Sequence, residues 1–339
     1  MFSASMIFLF CIVLLTLLFD FINGFHDTAN SIATSVSTRV LSPKQAIVMA
    51  TILNFIGALI SSKVAKTIAG GLVRSNAPHG QFAIVATLVA AIIWNLITWH
   101  FAIPSSSSHA MIGGLIGSSI VFARSIDVVN WFGHGGVFHK VIIPLFLAPV
   151  LGLFVGYLLM SVLYEVLRPF TQAFVNKWFS KFQILSAAFV AYSHGSNDAQ
   201  KSMGIITLAM IACGVLEPSA DVPLWVKCAC AVAMALGTSI GGWKIMKTMG
   251  LSMIKLQPIG GFAAQTGAAV IIETMSHFGA PVSTTQVITT SVLGVGAAKR
   301  ASAVRWGVVR EIAIAWIVTL PVTALMGASV AYFMQLFIK

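Results

Sequence analysis

Two short stretches carry polar side chains that an otherwise apolar chain has little reason to keep. Asp20, Asn23, His26, Asp27 and Asn30 fall within eleven residues, directly after the apolar run 2–19. Far downstream, Gly195-Ser196-Asn197-Asp198-Ala199-Gln200-Lys201 repeats the Gly-x-x-Asp spacing of Gly24-Phe25-His26-Asp27-Thr28-Ala29-Asn30. A carboxylate at the centre of a membrane helix costs about 2.5–3.5 kcal/mol on insertion scales, so a chain that keeps two of them is using them. Asp27 and Asn30 are three residues apart and share one helix face, as do Asp198 and Lys201. Gly24 and Gly195 are expected to interrupt their helices and bare backbone carbonyls. Carbonyl, carboxylate and amide oxygens are hard ligands suited to Na⁺, Mg²⁺ or Ca²⁺, which makes Asp27 and Asp198 the candidate metal ligands. The same carboxylates suit proton relay, with His26, Asn30, Asn197 and Lys201 beside them as coupling residues. The plain structural alternative is an Asp that caps a resumed helix. Lys201 matches Asn30, and an ammonium there can pair with Asp198 in place of a bound cation. His26, His109 and His194 flank the motifs and read either as packing residues or as proton carriers near an anion site, and Glu273 reads as lining of the same cavity.

A second pair of motifs is rich in hydroxyls: Pro104-Ser105-Ser106-Ser107-Ser108-His109 and Pro281-Val282-Ser283-Thr284-Thr285-Gln286. Proline suits a helix start because its missing N–H needs no partner there. The following Ser and Thr offer hydroxyls beside free first-turn N–H groups and the positive end of the macrodipole. Two such termini facing each other make a tetrahedral oxyanion site; a single copy reads equally well as an ordinary N-cap.

The elements that must position these residues are membrane helices. Of 339 residues, 58% are hydrophobic and 9% charged, against about 25% charged in a soluble domain. The apolar runs are helix-length, not the ten-residue alternation of a barrel strand. The expectation is an all-α integral membrane protein with about ten to twelve transmembrane and re-entrant helices. The net charge of +11 reads as loop Lys and Arg on the inner side, with attraction of anions to the pore mouths as a second effect. No soluble basic domain supports nucleic-acid binding. Cys11, Cys213, Cys228 and Cys230 lie in apolar runs with no zinc-type or disulfide pattern. The N-terminal run lacks a basic n-region and reads as the first membrane helix.

In chain order, the expected segments are 4–23 resuming over 27–38, then 45–61, a polar loop 63–80 carrying Arg74 and Pro78, and 82–101. Next come 110–123, a loop with Gly133 and Gly135, and 141–164. The region 166–182, with Trp178, Phe179 and Phe182, reads as an interfacial connector between a first repeat (1–165) and a second (183–339). The second half places apolar segments at 184–192, 203–215, 228–243, 262–275 and 312–337, with a Lys-rich loop at Lys244, Lys247 and Lys255. Asp27 and Asp198 are 171 residues apart and Pro104 and Pro281 are 177 apart. Such duplication of interrupted apolar segments points to a secondary transporter with its site at the repeat interface. The acidic loop 215–226 against the basic loop at Arg39 and Lys44 favours inverted-topology repeats, although the basic loop after Lys63 conflicts with that orientation. Gly113/Gly117, Gly152/Gly156 and Gly237/Gly241 read as close helix packing.

At these four motifs the sequence resembles the PiT family of inorganic phosphate transporters. The resemblance spans nearly the whole chain. It implies inverted repeats, a homodimer, and symport of phosphate with a cation in a multi-pass protein of the bacterial inner membrane. It also implies phosphate held by Ser105, Ser106, Ser107, Ser283, Thr284 and Thr285, with no bound cofactor. His26 stands where the family has Asn, and Lys201 where the repeat has a second Asn. Both departures resemble the proton-coupled branch, whose substrate is similar to a neutral Mg²⁺– or Ca²⁺–phosphate complex. Na⁺ coupling and a sulfate permease of the same fold are the alternatives. An intramembrane protease is a rival of another class, but Asp198 lacks a Gly-x-Gly-Asp context and Ser105–Ser108 lack Gly-x-Ser-x-Gly.

Overall fold

The helices are polar inside and apolar outside, the reverse of a soluble bundle. In the computed structural model, which describes residues 4–73, 80–132, 136–242, 245–246, 256–300, 302 and 304–337, α1 (Ala4–Ser37) turns Ile7, Phe10, Leu14 and Leu18 outward. It buries Thr16, Asp20, Asn23, His26 and Asp27. Hydrocarbon is the natural solvent for the outer stripe. The inner stripe needs partners from other helices, which is why it decides how the bundle assembles. Arg74, Pro78, Gly133, Gly135, Trp243, Lys244, Lys247 and Lys255 lie outside the described residues.

After α1 come α2 (Pro43–Ile60), α3 (Lys63–Gly71), α4 (Gly80–His100), α5 (Ser107–Ala123), α6 (Ile143–Leu167) and α7 (Gln172–Ala212). A π-helical turn, Phe138–Ile142, leads into α6. The chain continues with α8 (Leu224–Ile240), α9 (Pro258–His277), α10 (Thr284–Lys299) and α11 (Trp306–Gln335). The described residues contain no strand, only one isolated bridge between Val73 and Val129. Among the described residues, five spans are long and apolar enough to cross a membrane: Met6–Ser37, Pro43–Ile60, Gly80–His100, Phe138–Leu167 and Trp306–Gln335. The all-α membrane fold expected from composition is what the chain adopts. Pro43 does open α2, where Ser42 and Gln45 form a reciprocal capping box.

Two expectations need correction. Neither Gly24 nor Gly195 breaks its helix: α1 is continuous over 34 residues and α7 over 41. These glycines serve close approach instead. A Cβ on Gly24 would strike the carbonyl of Met234 in α8, and one on Gly195 the backbone of Asn54 in α2. The expected bare carbonyls are therefore not available as ligands. Gly24 O accepts from Thr28 Oγ1 within the helix, and Ser196 O from Gln200 Nε2. Second, the start of the loop after Lys63 is helical. Val64, Ala65, Ile68 and Ala69 line one buried face of α3, and Gln200 Oε1 accepts the Val64 N–H at 2.7 Å, satisfying a first-turn donor that has no partner within the helix. Residues 172–182 of the expected connector are the first turns of α7. Trp178 and Phe182 are exposed there, while Phe179 is buried.

The two halves interlock in matched pairs. α1 packs on α8 and α7 on α2; α5 packs on α11 and α10 on α6. The contacts use equivalent small residues. A Cβ on Gly57 would collide with Tyr192 O, and one on Gly237 with Phe21 O, where Phe21 and Tyr192 hold the same place before Gly24 and Gly195. Gly113 and Gly117 approach Leu320, Thr323 and Ala324, while Gly152 and Gly156 approach Val287, Thr290 and Ser291. Gly241 differs from its expected packing role: it ends α8 at φ +74°, a conformation that favours glycine.

Candidate functional site

The site is built where the middle of α1 and α7 meets the first turns of α5 and α10. Ser106 and Ser283 are the N-caps of those helices, and their hydroxyls accept the N–H of His109 and Gln286, each at 3.3 Å. Capping directs the next two hydroxyls of each helix inward. Ser107 Oγ donates to Asp27 Oδ2 at 2.9 Å, and Thr284 Oγ1 donates to Asp198 Oδ2 at 3.1 Å. The following residue crosses between halves. Asn30 Nδ2 donates to Thr285 Oγ1 at 2.7 Å, and Lys201 Nζ donates to Ser108 Oγ. Each half also has an outer brace, to neighbouring rather than equivalent places: His26 Nε2 lies 3.0 Å from Thr98 Oγ1, and Asn197 Nδ2 donates to Ser276 Oγ at 2.6 Å. One bonding pattern is therefore written twice, with residues substituted.

The substitutions make the halves electrostatically unequal. Asp27 is held by neutral donors and by His26 Nδ1 at 2.9 Å. Asp198 pairs with the Lys201 ammonium, which also donates to Val282 O at 3.2 Å. His194 adds to that side: Nδ1 lies 3.1 Å from Asn54 Oδ1 and Nε2 lies 3.1 Å from Asp198 Oδ2. Asn54 Nδ2 donates to Thr238 Oγ1 at 3.1 Å, which leaves Asn54 Oδ1 as the acceptor for Nδ1–H. The contact from Nε2 to Asp198 is then a hydrogen bond only when the ring carries its second proton. None of Asp27, Ser107, Ser108, His194, Asp198, Lys201, Thr284 and Thr285 is more than 3% exposed, so their interactions are little screened by water.

Ligand atoms of Asp27, His194 and Asp198 lie within 4.8 Å of one another. The amide oxygens of Asn30 and Asn197 are buried without a hydrogen-bond partner. Two carboxylates, an imidazole and two unsatisfied amide oxygens are donors that fit a small divalent cation travelling as cargo.

The structure thus gathers Asp27, Asn30, Asp198, Lys201, Ser107, Thr284 and Thr285 into one cluster, with His26 and Asn197 at its edge. It places Ser105 elsewhere, donating to Thr98 Oγ1 at 2.9 Å, and engages Ser106 and Ser283 as caps. Ser108 was not among the residues expected to hold phosphate, and His194 was open between a packing and a proton-carrying role. The spacing of the hydroxyl repeat could have found Ser108, since adding 177 to it gives Thr285. His194 stands one helical turn before Asp198. Glu273 faces Ser193 and Ser196 of α7.

The sequence profile of the phosphate transporter family (PHO4) matches residues 23–327, which include all four motifs. The chain belongs to the phosphate transporter family. It is similar to the "Probable low-affinity inorganic phosphate transporter" of Bacillus subtilis (strain 168), 49% identical over 325 residues and 95% of each protein. The protein of the same description from Mycobacterium tuberculosis (strain ATCC 25618 / H37Rv) is 45% identical, over 95% of this chain and 76% of that one. The solved structure titled "The sodium-dependent phosphate transporter" superposes with a TM-score of 0.86 at 25% identity, over 97% of this chain and 99% of the other. This protein is therefore a membrane phosphate transporter, not an enzyme.

Proposed function

We propose that this transporter is a proton-coupled phosphate symporter of the bacterial inner membrane, built from two inverted repeats (1–165 and 183–339, with 166–182 between) and working as a homodimer. The observation that carries the proton reading is the buried ammonium of Lys201 on Asp198, at the position that is Asn30 in the first half. A fixed positive charge there occupies the place of one mobile cation and disfavours a second at Asp198. The inner-membrane placement rests on the bacterial relatives. The inverted topology draws support from the interlocked packing, and the dimer rests on the family resemblance.

Phosphate would be held between the first turns of α5 and α10 by Ser107, Ser108, Thr284 and Thr285, where first-turn N–H groups and the helix dipole favour an anion. Three of these hydroxyls already point at carboxylates, Ser107 and Thr285 at Asp27 and Thr284 at Asp198, while Ser108 donates to Val282 O and accepts from Lys201. Hydrogen phosphate can donate to such an acceptor and sulfate cannot, so sulfate would leave a buried carboxylate unpaired. A divalent cation would meet Asp27, His194 and Asp198 only together with phosphate, whose negative charge offsets the repulsion from Lys201. Alternating access would come from one repeat moving against the other around this site.

The likeness to a structure titled sodium-dependent favours a second reading, Na⁺ coupling. Uptake of radiolabelled phosphate into proteoliposomes, under separate pH and Na⁺ gradients and with and without Mg²⁺, decides between them. The proposal expects accumulation driven by an inward proton gradient and raised by Mg²⁺. Accumulation that requires Na⁺ and ignores the pH gradient would replace it with the second reading.

A further inference from the structure

Below the cluster, along the inner stripe of α1, lies a third buried carboxylate that the phosphate site does not use. Asp20 is 0% exposed, and neither of its oxygens has a hydrogen-bond partner. Asn23, three residues on and on the same face, has both side-chain polar atoms unpartnered, as does Asn95 of α4. Contacts between Phe8 and Phe82 and between His26 and Thr98 show that α1 and α4 run parallel, which puts Asn95 level with Asn23. Ser202 of α7 faces the Asp20 carboxylate, and its hydroxyl too is buried without a partner. Three helices therefore bring seven buried polar atoms without partners to one level of the bundle. Native interiors rarely leave such groups unsatisfied, and a cluster of them calls for a ligand or a function.

Charge decides which ligand. The titratable groups acting on Asp20 are Asp198 and Lys201 of α7 and Cys230 of α8, while α4 contributes the neutral Asn95. His109 of α5 stands beyond, acting on Lys201. A metal ion beside the Lys201 ammonium would be repelled, whereas a proton on the carboxyl leaves a neutral acid. Asp27 and Asp198 each hold donors that stabilise the charged form. Asp20 has only the Ser202 hydroxyl facing it and the charge of Lys201 acting on it, so of the three it is the carboxylate whose charge the fold compensates least. The second half has no counterpart: Ala191 occupies the place 171 residues on. We infer that Asp20, in the polar level shared with Asn23, Asn95 and Ser202, is the proton-carrying site of the transport cycle, separate from the phosphate site. It takes one proton from water on one side of the membrane, crosses as the neutral acid and returns that proton to water on the other. This inference rests on the proton-coupled reading.

Three measurements on full-length protein in proteoliposomes test it. The wild type should accumulate phosphate under an inward pH gradient. Asp20→Asn should lose that accumulation but retain phosphate exchange between the two sides at equal pH, and Asp20→Glu should restore the gradient response. In wild-type protein, dicyclohexylcarbodiimide, which attacks protonated carboxyls in apolar surroundings, should label Asp20 ahead of Asp27 and Asp198, faster as pH falls. Full pH-driven accumulation by Asp20→Asn overturns the assignment, as does labelling that spares Asp20, and the second result does not depend on whether a variant folds. A wild type indifferent to the pH gradient overturns the proton-coupled reading itself.

Discussion

Removing Lys201 should destabilise the transporter far more than removing it together with Asp198. The ammonium donates to Asp198 Oδ1, to Ser108 Oγ and to Val282 O at 3.2 Å, and both side chains of the ion pair are essentially inaccessible. Breaking a buried pair by deleting one partner costs about 3–5 kcal/mol, because the remaining charge is stranded, whereas replacing both is often neutral. Lys201→Met would leave Asp198 with only Thr284 and His194, each at 3.1 Å. Asp198→Asn would leave the ammonium with two neutral oxygens. Each single variant should therefore lose about 3–5 kcal/mol. The double variant, Asp198→Asn with Lys201→Met, should recover most of it, giving a coupling energy that approaches the summed single losses and exceeds the usual range of about 0.5–3 kcal/mol. Thermal and denaturant unfolding of the purified protein in mild detergent, followed by tryptophan fluorescence, measures all four corners of the cycle. Additive losses would refute the claim that Lys201 and Asp198 form one buried ionic unit.

Other substitutions separate structural from functional hydroxyls and glycines. Ser106→Ala and Ser283→Ala remove N-caps and should cost about 0.5–2 kcal/mol of stability, seen as a lower melting temperature with phosphate affinity retained. Ser107→Ala and Thr284→Val each leave a buried carboxylate short of a donor, a penalty of about 1–3 kcal/mol, and should weaken half-saturation of phosphate uptake. Gly57→Ala would drive a Cβ into Tyr192 O and should abolish folded, monodisperse protein on size-exclusion chromatography. Gly70→Ala has open space and should be neutral or slightly stabilising. Lys66 beside Asp221 holds that carboxyl below the usual range, so any stabilisation is present above the unfolded value and lost as pH falls through the lowered one. Both side chains are exposed, so Asp221→Asn should leave the melting temperature unchanged at neutral pH.

Most helices were legible because lipid-facing stripes need long apolar runs, and the site was legible because its motifs occur twice. Glycine was misread for a physical reason. In a helix it costs about 1 kcal/mol relative to alanine, so Gly24 and Gly195 look like breaks until the partner backbones of α8 and α2 are in place against them. α3 was hidden because its apolar face is short, and its first-turn N–H is satisfied from 136 residues away by Gln200. The interleaving of the halves was also invisible locally, since Thr285 meets Asn30 and Ser108 meets Lys201 only through the fold. Asp20 was visible as an intramembrane acid, but its lack of partners depends on what α4 and α7 place around it.

The most direct test of the account is a high-resolution structure of the protein in lipid nanodiscs with phosphate and Mg²⁺ present. The account predicts tetrahedral density between the first turns of α5 and α10, within hydrogen-bond distance of Ser107, Ser108, Thr284 and Thr285, with the metal on the side of Asp27, His194 and Asp198. Phosphate bound away from both helix starts, with Ser107, Thr284 and Thr285 still on the carboxylates, would contradict it.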